Sequence, residues 1–147
     1  MRTSAFSDIT GALMRLLQAE PPIADVVYRA RSRVIVQGVT RAINVQFDGG
    51  VPQAGVINGA PINWTSKFSI ECFARVANAE NNDEAVDPLL TAVYSRIAAD
   101  RTLGGLVDYV GEPMVEAEYS AEGERTGWIR MSYPVEHVTE QSTLEPA

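Results

Sequence analysis

The residues of this chain that could take part in catalysis are few and far apart. Cys72 is the single cysteine and His137 the single histidine. A thiol and an imidazole form a nucleophilic couple only when the base is within hydrogen-bond reach and a third group orients it, and the sequence indicates no such group. A lone cysteine in an apolar run is typical of a small buried side chain, and a lone histidine ending the last strand is typical of a surface. We predict that neither is catalytic.

Two carboxylates also have a spacing that chemistry can use. Glu116 and Glu118 lie two residues apart on a predicted strand and therefore share one face. Paired carboxylates can serve general acid–base catalysis, but alternating acids are also the ordinary pattern of a solvated strand, which we favour here as an acidic face. No group of His, Cys, Asp and Glu has metal-ligand spacing. We expect no metal, no cofactor and no enzymatic activity.

The glycine pair in "SRIAADRTLGGLVDYV", residues 95–110, is the remaining candidate for chemistry. A phosphate-binding loop places its glycines before a helix, where the backbone N–H groups point outward. Gly104 and Gly105 instead follow a helix predicted to end near Ala99, where glycine supplies the left-handed conformations of a helix end and a tight turn. We predict a structural turn at this pair.

Composition limits the class of protein. The 147 residues, 46% of them hydrophobic, suit one soluble globular domain. One cysteine excludes an intrachain disulfide, which fits a reducing compartment such as the cytoplasm, and we expect no targeting or membrane segment. The net charge of −7 opposes binding to nucleic acid.

Two apolar stripes of period 3.6 predict the helices. The first contains Ile9, Leu13 and Leu17, with Ser7 or Asp8 as its N-cap. The second contains apolar residues from Val86 to Ile97, with Asp83 or Asp87 as its N-cap and Pro88 in its first turn or at a kink.

Period-2 alternation predicts the strands. They span residues 25–37, 43–47, 64–76, 113–121 and 126–138, and a hairpin loop joins the last two. Pro134 indicates that the final strand ends there or lies at an edge. The Gly- and Pro-rich residues 48–63 predict a long loop. The result is an α+β two-layer sandwich of four to five strands with two helices on one face, as one domain over residues 1–138 and a mobile tail over 139–147.

Charge is unevenly distributed along the chain. Four arginines, with no acid among them, fall within thirteen residues: Arg29, Arg31, Arg33 and Arg41. The second half is acidic. A subunit polarised in this way suits contact with copies of itself, since complementary charge sets partner and register. We predict a subunit interface at these arginines.

One part of the chain resembles a known family. "ADRTLGGLVDYV" after an amphipathic helix, followed by an acidic strand, a hairpin and "GWIRMSYPVEHVTE", is similar to the tail terminator, or tail completion, proteins of long-tailed bacteriophages. The resemblance covers residues 4–138, is sharpest over 100–107, and elsewhere follows the pattern of elements.

The resemblance implies a virion protein that forms a ring, a hexamer, at the head-proximal end of the tail tube. Such a ring stops tube polymerisation and offers a docking face to the head–tail connector. The resemblance also implies that the long loop contacts a neighbouring subunit, at Asp48, Gly49 and Gly50. Its partners would be itself, the major tail tube protein and the neck protein, DNA would pass through the lumen without specific binding, and assembly would occur in the host cytoplasm. Two alternatives stay open: another neck or minor tail component of the same fold, and a small α+β ligand-binding enzyme.

Overall fold

A computed structural model describes residues 2–30, 38–53, 58–75, 81–119 and 126–147. Two helices and six strands follow one another along the chain. They are α1 (Ala5–Gln18), β1 (Val26–Arg29), β2 (Arg41–Pro52), β3 (Ile62–Arg75), α2 (Asn82–Ala99), β4 (Tyr109–Val110), β5 (Met114–Tyr119) and β6 (Thr126–Thr139). The α+β prediction is confirmed, with β4 as a strand that the sequence did not indicate.

The six strands form one mixed sheet. Its order is β1-β2-β3-β6-β4, and β5 also pairs with β6. β1 runs parallel to β2, and every other pair is antiparallel. Because β4 and β5 pair with different parts of the same side of β6, the segment from Tyr109 to Tyr119 forms one edge of the sheet and β1 lies at the other.

Both helices pack against one face of the sheet. The stripe of α1 predicted from the sequence is buried at Ile9, Leu13 and Leu17, and α2 buries Val86 through Ile97 in the same core. Cys72 lies in this core as predicted, and burial raises the pKa of its thiol to about 12. Within the described ranges, twenty-one buried apolar residues form a single cluster between the helices and the sheet.

The helix caps differ from those predicted. α1 begins one turn earlier than expected, because the Ser4 hydroxyl accepts the N–H of Ser7 at 3.3 Å. The N-cap of α2 is Asn81, whose side-chain amide donates to Glu84 at 2.5 Å. Pro88 consequently lies inside α2, where its ring removes one backbone hydrogen bond.

Residues 48–63 are not one long loop. β2 continues to Pro52 and β3 begins at Ile62, and the shift of register between Phe47 and Gly49 marks a β-bulge. Gly49 has a φ of 135°, a conformation that favours glycine. The glycines that read as a loop therefore mark a bulge inside a long hairpin.

Pro134 neither ends β6 nor lies at its edge, since β6 runs to Thr139 between β3 and the β4–β5 side. The Pro134 carbonyl accepts the N–H of Gly111 at 2.8 Å. In an antiparallel strand, the nitrogen and the carbonyl of one residue face the same neighbouring strand. The nitrogen of Pro134 therefore faces away from β3, toward the residues between Val110 of β4 and Met114 of β5. No ladder bond to β3 is lost.

The C-terminal residues have more contacts than the sequence indicates. Thr139 forms a bridge with Pro146, the N–H of Ala147 donates to Val138 at 3.1 Å, and the N–H of Ala5 donates to Leu144 at 2.7 Å. These bonds join the tail to β6 and to the start of α1, and the mobility of residues 139–147 stays a prediction.

Candidate assembly interface

Cys72 and His137, the two residues considered as a catalytic pair, lie far apart in the structure. Cys72 pairs with Ile129, whereas His137 pairs with Trp64 at the other end of the same two strands. Eight strand residues separate the two positions, which is about 26 Å. Among the described residues no group of three or more His, Cys, Asp and Glu could hold a metal ion. The geometry offers these side chains no shared chemistry.

His137 is buried, which corrects the prediction of a surface position. It is 1% exposed, its Nε2 lies 2.7 Å from the Ser66 hydroxyl, and its ring meets that of Phe6 edge-on at 5.4 Å. Burial lowers the pKa of the imidazole, and the carboxylate of Asp108 opposes this shift. The signal was present in the sequence, because His137 continues the alternation of the buried residues Tyr133 and Val135.

Two of the four arginines predicted to form a subunit interface lie in the described part of the structure. Arg29 ends β1, and its guanidinium donates to the Ser7 hydroxyl at 2.8 Å and to the Ser7 carbonyl at 3.3 Å, so it ties the sheet edge to α1. Arg41 begins β2 and is exposed. Arg31 and Arg33 lie outside the described residues.

Asp48 belongs to a cross-strand network on the face opposite the helices. As the bulged residue of β2, it accepts from Arg130 at 2.9 Å, from Gln46 at 3.0 Å and from the Ser69 hydroxyl. Arg130 also donates to Ser69 at 3.1 Å. The side chain predicted to contact a neighbouring subunit therefore joins β2, β3 and β6 within one subunit.

Gly50 and Gly49 occupy different environments. A Cβ at Gly50 would lie 2.6 Å from the Ser66 hydroxyl oxygen and 3.3 Å from the Phe6 ring, so α1 approaches β2 closely here. A Cβ at Gly49 would meet nothing within 4 Å. Gly50 is explained by packing within the subunit, and a contact role for either glycine stays a prediction.

The turn after α2 is held by an arginine that the sequence did not single out. Leu103, Gly104 and Gly105 have φ values of 50°, 71° and 92°, and the Gly104 N–H donates to the Asp100 carboxylate at 3.2 Å. Arg101 donates to the Val110 carbonyl at 2.9 Å and pairs with Glu112 at 2.7 Å. The turn thereby sets the position of the β4–β5 edge.

That edge is an open surface of the described chain. Residues 114–118 of β5 are all exposed, among them the apolar Met114 and Val115 at 55% and 50%. Glu116 lies opposite Arg130 and Glu118 opposite Trp128, so both acids belong to the face away from the helices. An exposed edge with apolar side chains is suited to pairing with another chain.

A groove at the far end of the sheet was not predicted. It has a volume of about 360 Å³ and lies where Pro52, Ile62 and Thr139 end or begin their strands. Its walls include Val51, Trp64, Thr65, Asp108, Glu136 and His137. We call this region the distal groove, and the surrounding end of the sheet the distal end.

Comparison with known proteins adds a shared fold. No protein-family model and no curated protein matches the sequence. A chain of the virion of a native gene transfer agent particle is similar in structure, with a TM-score of 0.53 and 15% identity, over 91% of this chain and 98% of that one. A chain of the sheath/tube terminator of an extracellular contractile injection system, in its extended state, has a TM-score of 0.46 and 9% identity, over 100% of this chain and 62% of that one.

The first comparison means that the α+β fold of this chain also occurs in a phage-like virion. Among the described helices, none is long and apolar enough to cross a membrane.

Proposed function

We propose that this chain is a structural subunit of a phage-like tail and that it forms a ring, a hexamer, at the head-proximal end of the tail tube. The observation that carries the proposal is the near end-to-end structural match with a virion chain. The sequence resemblance to tail terminators supports the same place in the particle. In this role the ring ends tube polymerisation and presents a docking face to the neck protein, while DNA passes through its lumen without specific binding.

The shape of the sheet supports assembly into a ring. β1 and β5 lie at opposite edges, four strand spacings or about 19 Å apart, with Arg29 on one and Glu116 on the other. Two unlike edges on one subunit favour head-to-tail contact, which closes into a ring or continues as a filament. The open edge at Met114 and Val115 supplies apolar area to such a contact.

The position in the particle is tested by removing the protein. We expect phage-like particles produced without it to carry tail tubes of uncontrolled length, measured by negative-stain electron microscopy. Immunogold label on intact particles should lie at the head-proximal end of the tail. Tubes of normal length in the absence of the protein, together with label elsewhere, would contradict the proposal.

The role of the β5 edge is tested separately. Met114→Lys with Val115→Lys places charge on the open edge, and lysine there opposes strand pairing. We expect a folded subunit that no longer associates, measured by native mass spectrometry against the 16.0 kDa single chain. Asp83→Asn with Asp87→Asn changes net charge by the same amount on the exposed face of α2 and should associate normally.

A neck or connector component of the same fold is the second candidate, since the fold alone does not select the position along the tail. Pulldown separates the two. Retention of the major tail tube protein supports the terminator role, whereas retention of the portal-side adaptor alone supports the connector role.

A further inference from the structure

The pairing of β6 fixes which backbone groups of β5 point outward. The N–H of Gly111 donates to the Pro134 carbonyl at 2.8 Å, so the even-numbered residues of β6 direct their backbone groups to the β4–β5 side. Those residues lie opposite the even-numbered residues of β5, which are Met114, Glu116 and Glu118. The N–H and C=O groups of the odd-numbered residues of β5 therefore point away from β6.

These outward groups are bonded on β4 but open on β5. The N–H of Val110 donates to the Arg101 carbonyl at 2.8 Å, and the Val110 carbonyl accepts from the Arg101 guanidinium at 2.9 Å. On β5, the outward groups of Val115 and Ala117 pair with no strand of the described chain. An unpaired row of backbone groups is a template for a further strand.

The helix side of β5 is also uncovered. Val115 and Ala117 lie opposite Met131 and Ile129 of the core, on the face that carries the helices. α1 packs mainly over β1 and β2, and α2 over β3 and β6, so β5 extends beyond both helices. Val115 is consequently 50% exposed, although the residue opposite it is buried.

β1 presents a second edge with outward backbone groups. In the described sheet β1 pairs with β2 alone. The N–H of Ala30 donates to Val45, the residue opposite Arg29, so the even-numbered residues of β1 face β2. Asp25, whose N–H also bonds β2, lies before the strand begins. The backbone groups of Val27 and Arg29 therefore point outward.

The two edges match in the face that their outward residues share. Val27 packs against the core and Arg29 donates to the Ser7 hydroxyl of α1, so both side chains lie on the helix side. The outward residues of β5, Val115 and Ala117, lie on the helix side as well. Because directly opposite residues of a strand pair share one face, these edges can pair with all helices on one side of a continued sheet.

Strand direction and charge favour β1 of a second copy over a second β5. Copies related by rotation about an axis along the strands keep their strand directions, and β1 runs opposite to β5 in this sheet. A neighbouring β1 would therefore lie antiparallel to β5. Two β5 edges would instead bring Glu116 and Glu118 of both copies together, and like charges across a strand pair are destabilising. β1 contains no acid.

We propose that β1 of a second copy adds as an antiparallel strand to the open edge of β5. The inference rests on the proposed ring and names one of its contacts. The outward residues pair as Val27 with Ala117 and Arg29 with Val115. α1 of the second copy, which packs over its own β1, then lies beside the uncovered helix side of β5.

A disulfide between two copies tests the register. The pairing places Tyr28 opposite Glu116 as a non-hydrogen-bonded pair, whose Cα atoms lie about 4.5 Å apart and can be joined by a disulfide. Within one subunit the two positions are four strand spacings, about 19 Å, apart, so the bond must join two copies. Oxidation of Tyr28→Cys with Glu116→Cys, with tail tubes present, should give multiples of 16.0 kDa on non-reducing gels. Cys72 is buried and does not compete.

Two control variants locate the contact. Tyr28→Cys with Ala117→Cys moves one thiol to the other face of β5 and should not cross-link. Glu116→Cys alone should not cross-link either. Cross-linking of the shifted pair as efficiently as the matched pair, or dimers of Glu116→Cys alone that indicate pairing of two β5 edges, would overturn the inference.

The backbone pairing is tested with proline. Ala117→Pro removes an N–H that points outward, so the bonds from β5 to β6 remain while an added strand loses a bond and meets the proline ring. We expect a subunit with the urea midpoint of the wild type that forms no rings on tail tubes, measured by native mass spectrometry and electron microscopy. Ala117→Ser keeps the N–H and is the matched control, which should assemble. If Ala117→Pro does not fold, the cross-links decide.

The outcomes separate this inference from the proposed function. If the wild type forms rings on tail tubes while Tyr28→Cys with Glu116→Cys gives no cross-link, the strand contact is overturned and the ring stands. Normal rings of a folded Ala117→Pro lead to the same conclusion. If the wild type never associates, even with tail tubes present, the ring and its strand contact are both overturned.

Discussion

The two ends of the long central strands differ in how they are covered. Near the middle of β3, Glu71, Cys72 and Phe73 are all buried, so both faces of the sheet are covered there. At the distal end Asn63, Thr65 and Lys67 are exposed, and Val51 on the neighbouring strand is 69% exposed. The strand is continuous, but its surroundings change along its length.

The two faces of the sheet explain part of this difference: Asn63, Thr65 and Lys67 point away from the helices, whereas the alternating Ser66 and Phe68 are buried on the helix side. The fourteen residues of β3 extend about 46 Å, whereas α1 and α2, with 14 and 18 residues, extend about 21 and 27 Å. Helices of this length cannot cover such strands from end to end. The N-terminal turn of α1 nevertheless reaches the distal end, where the ring of Phe6 packs against Trp64 and His137.

The largest expected effect contrasts these two parts directly. Ile70 is fully buried in the core, so Ile70→Ala should lower the free energy of unfolding by about 2–5 kcal/mol through lost burial and a residual cavity. Val51→Ala at the distal end should change it by less than about 0.5 kcal/mol. Urea denaturation of both variants measures the difference. Equal losses would mean that the distal end belongs to the folding core.

A smaller loss is expected where one arginine joins the helices. Arg96 of α2 donates to the carbonyls of Leu16, Leu17 and Ala19 at 3.1, 3.4 and 2.5 Å, and also to that of Pro21. A guanidinium at the negative end of α1 satisfies carbonyls that have no partner within that helix.

Arg96→Ala should therefore cost about 1–3 kcal/mol of unfolding free energy, because charged hydrogen bonds are lost at a partly buried site. Arg96→Lys should recover part of this loss, since an ammonium group cannot reach several carbonyls at once. Arg15→Ala, at an exposed position of α1, is the control for urea denaturation. A loss of unfolding free energy in Arg15→Ala but not in Arg96→Ala would contradict the capping role of Arg96.

The sequence predicts the covered part of the fold well, because burial leaves a regular pattern. The period of 3.6 in α1 and the alternation along β3 and β6 each reflect one buried face, and the structure places them where they were expected. Cys72 follows the same rule. These elements could be predicted because one physical cause, removal of apolar side chains from water, acts on all their residues.

Other features of the structure could not be predicted in the same way. Gly49 and Gly50 read as a loop because glycine indicates a turn more often than a bulge, and only the partner strand distinguishes the two. The contacts of Arg96 and Arg101 join segments distant in sequence, and no local pattern announces them. Arg29 and Asp48, chosen for their charge, proved to have partners within the subunit, which charge counting does not reveal.

The packing at Gly50 gives a third and smaller test. Gly50→Ala should cost about 1–2 kcal/mol, because its Cβ would lie 2.6 Å from the Ser66 hydroxyl oxygen. In a Ser66→Ala background the same change should cost less, since the nearest atom is gone. Gly49→Ala, with φ at 135° and no neighbour within 4 Å, should be destabilising to the same extent in both backgrounds. Equal costs of Gly50→Ala in both backgrounds, by a double-mutant cycle in urea, would contradict the close contact.

The smallest expected effect is a dependence of stability on pH at His137. Burial lowers the pKa of the folded imidazole below its ordinary value of 6.5, so between these two values the unfolded chain binds a proton that the folded chain does not. The contribution of the neutral imidazole to the free energy of unfolding is fully present above about pH 6.5. It falls as the pH drops toward the folded pKa, with a slope of at most about 1.4 kcal/mol per pH unit for one proton. Urea denaturation at pH 7.5, 6.0 and 5.0 should show this fall in the wild type.

His137→Gln should remove the slope, since glutamine does not titrate. Asp25 does not interfere in this range: the N–H groups of Thr40 and Arg41 lower the pKa of its carboxylate below 3.8, so its contribution is lost only in stronger acid. An identical slope in His137→Gln would assign the pH dependence to other groups and leave the imidazole as a packing residue.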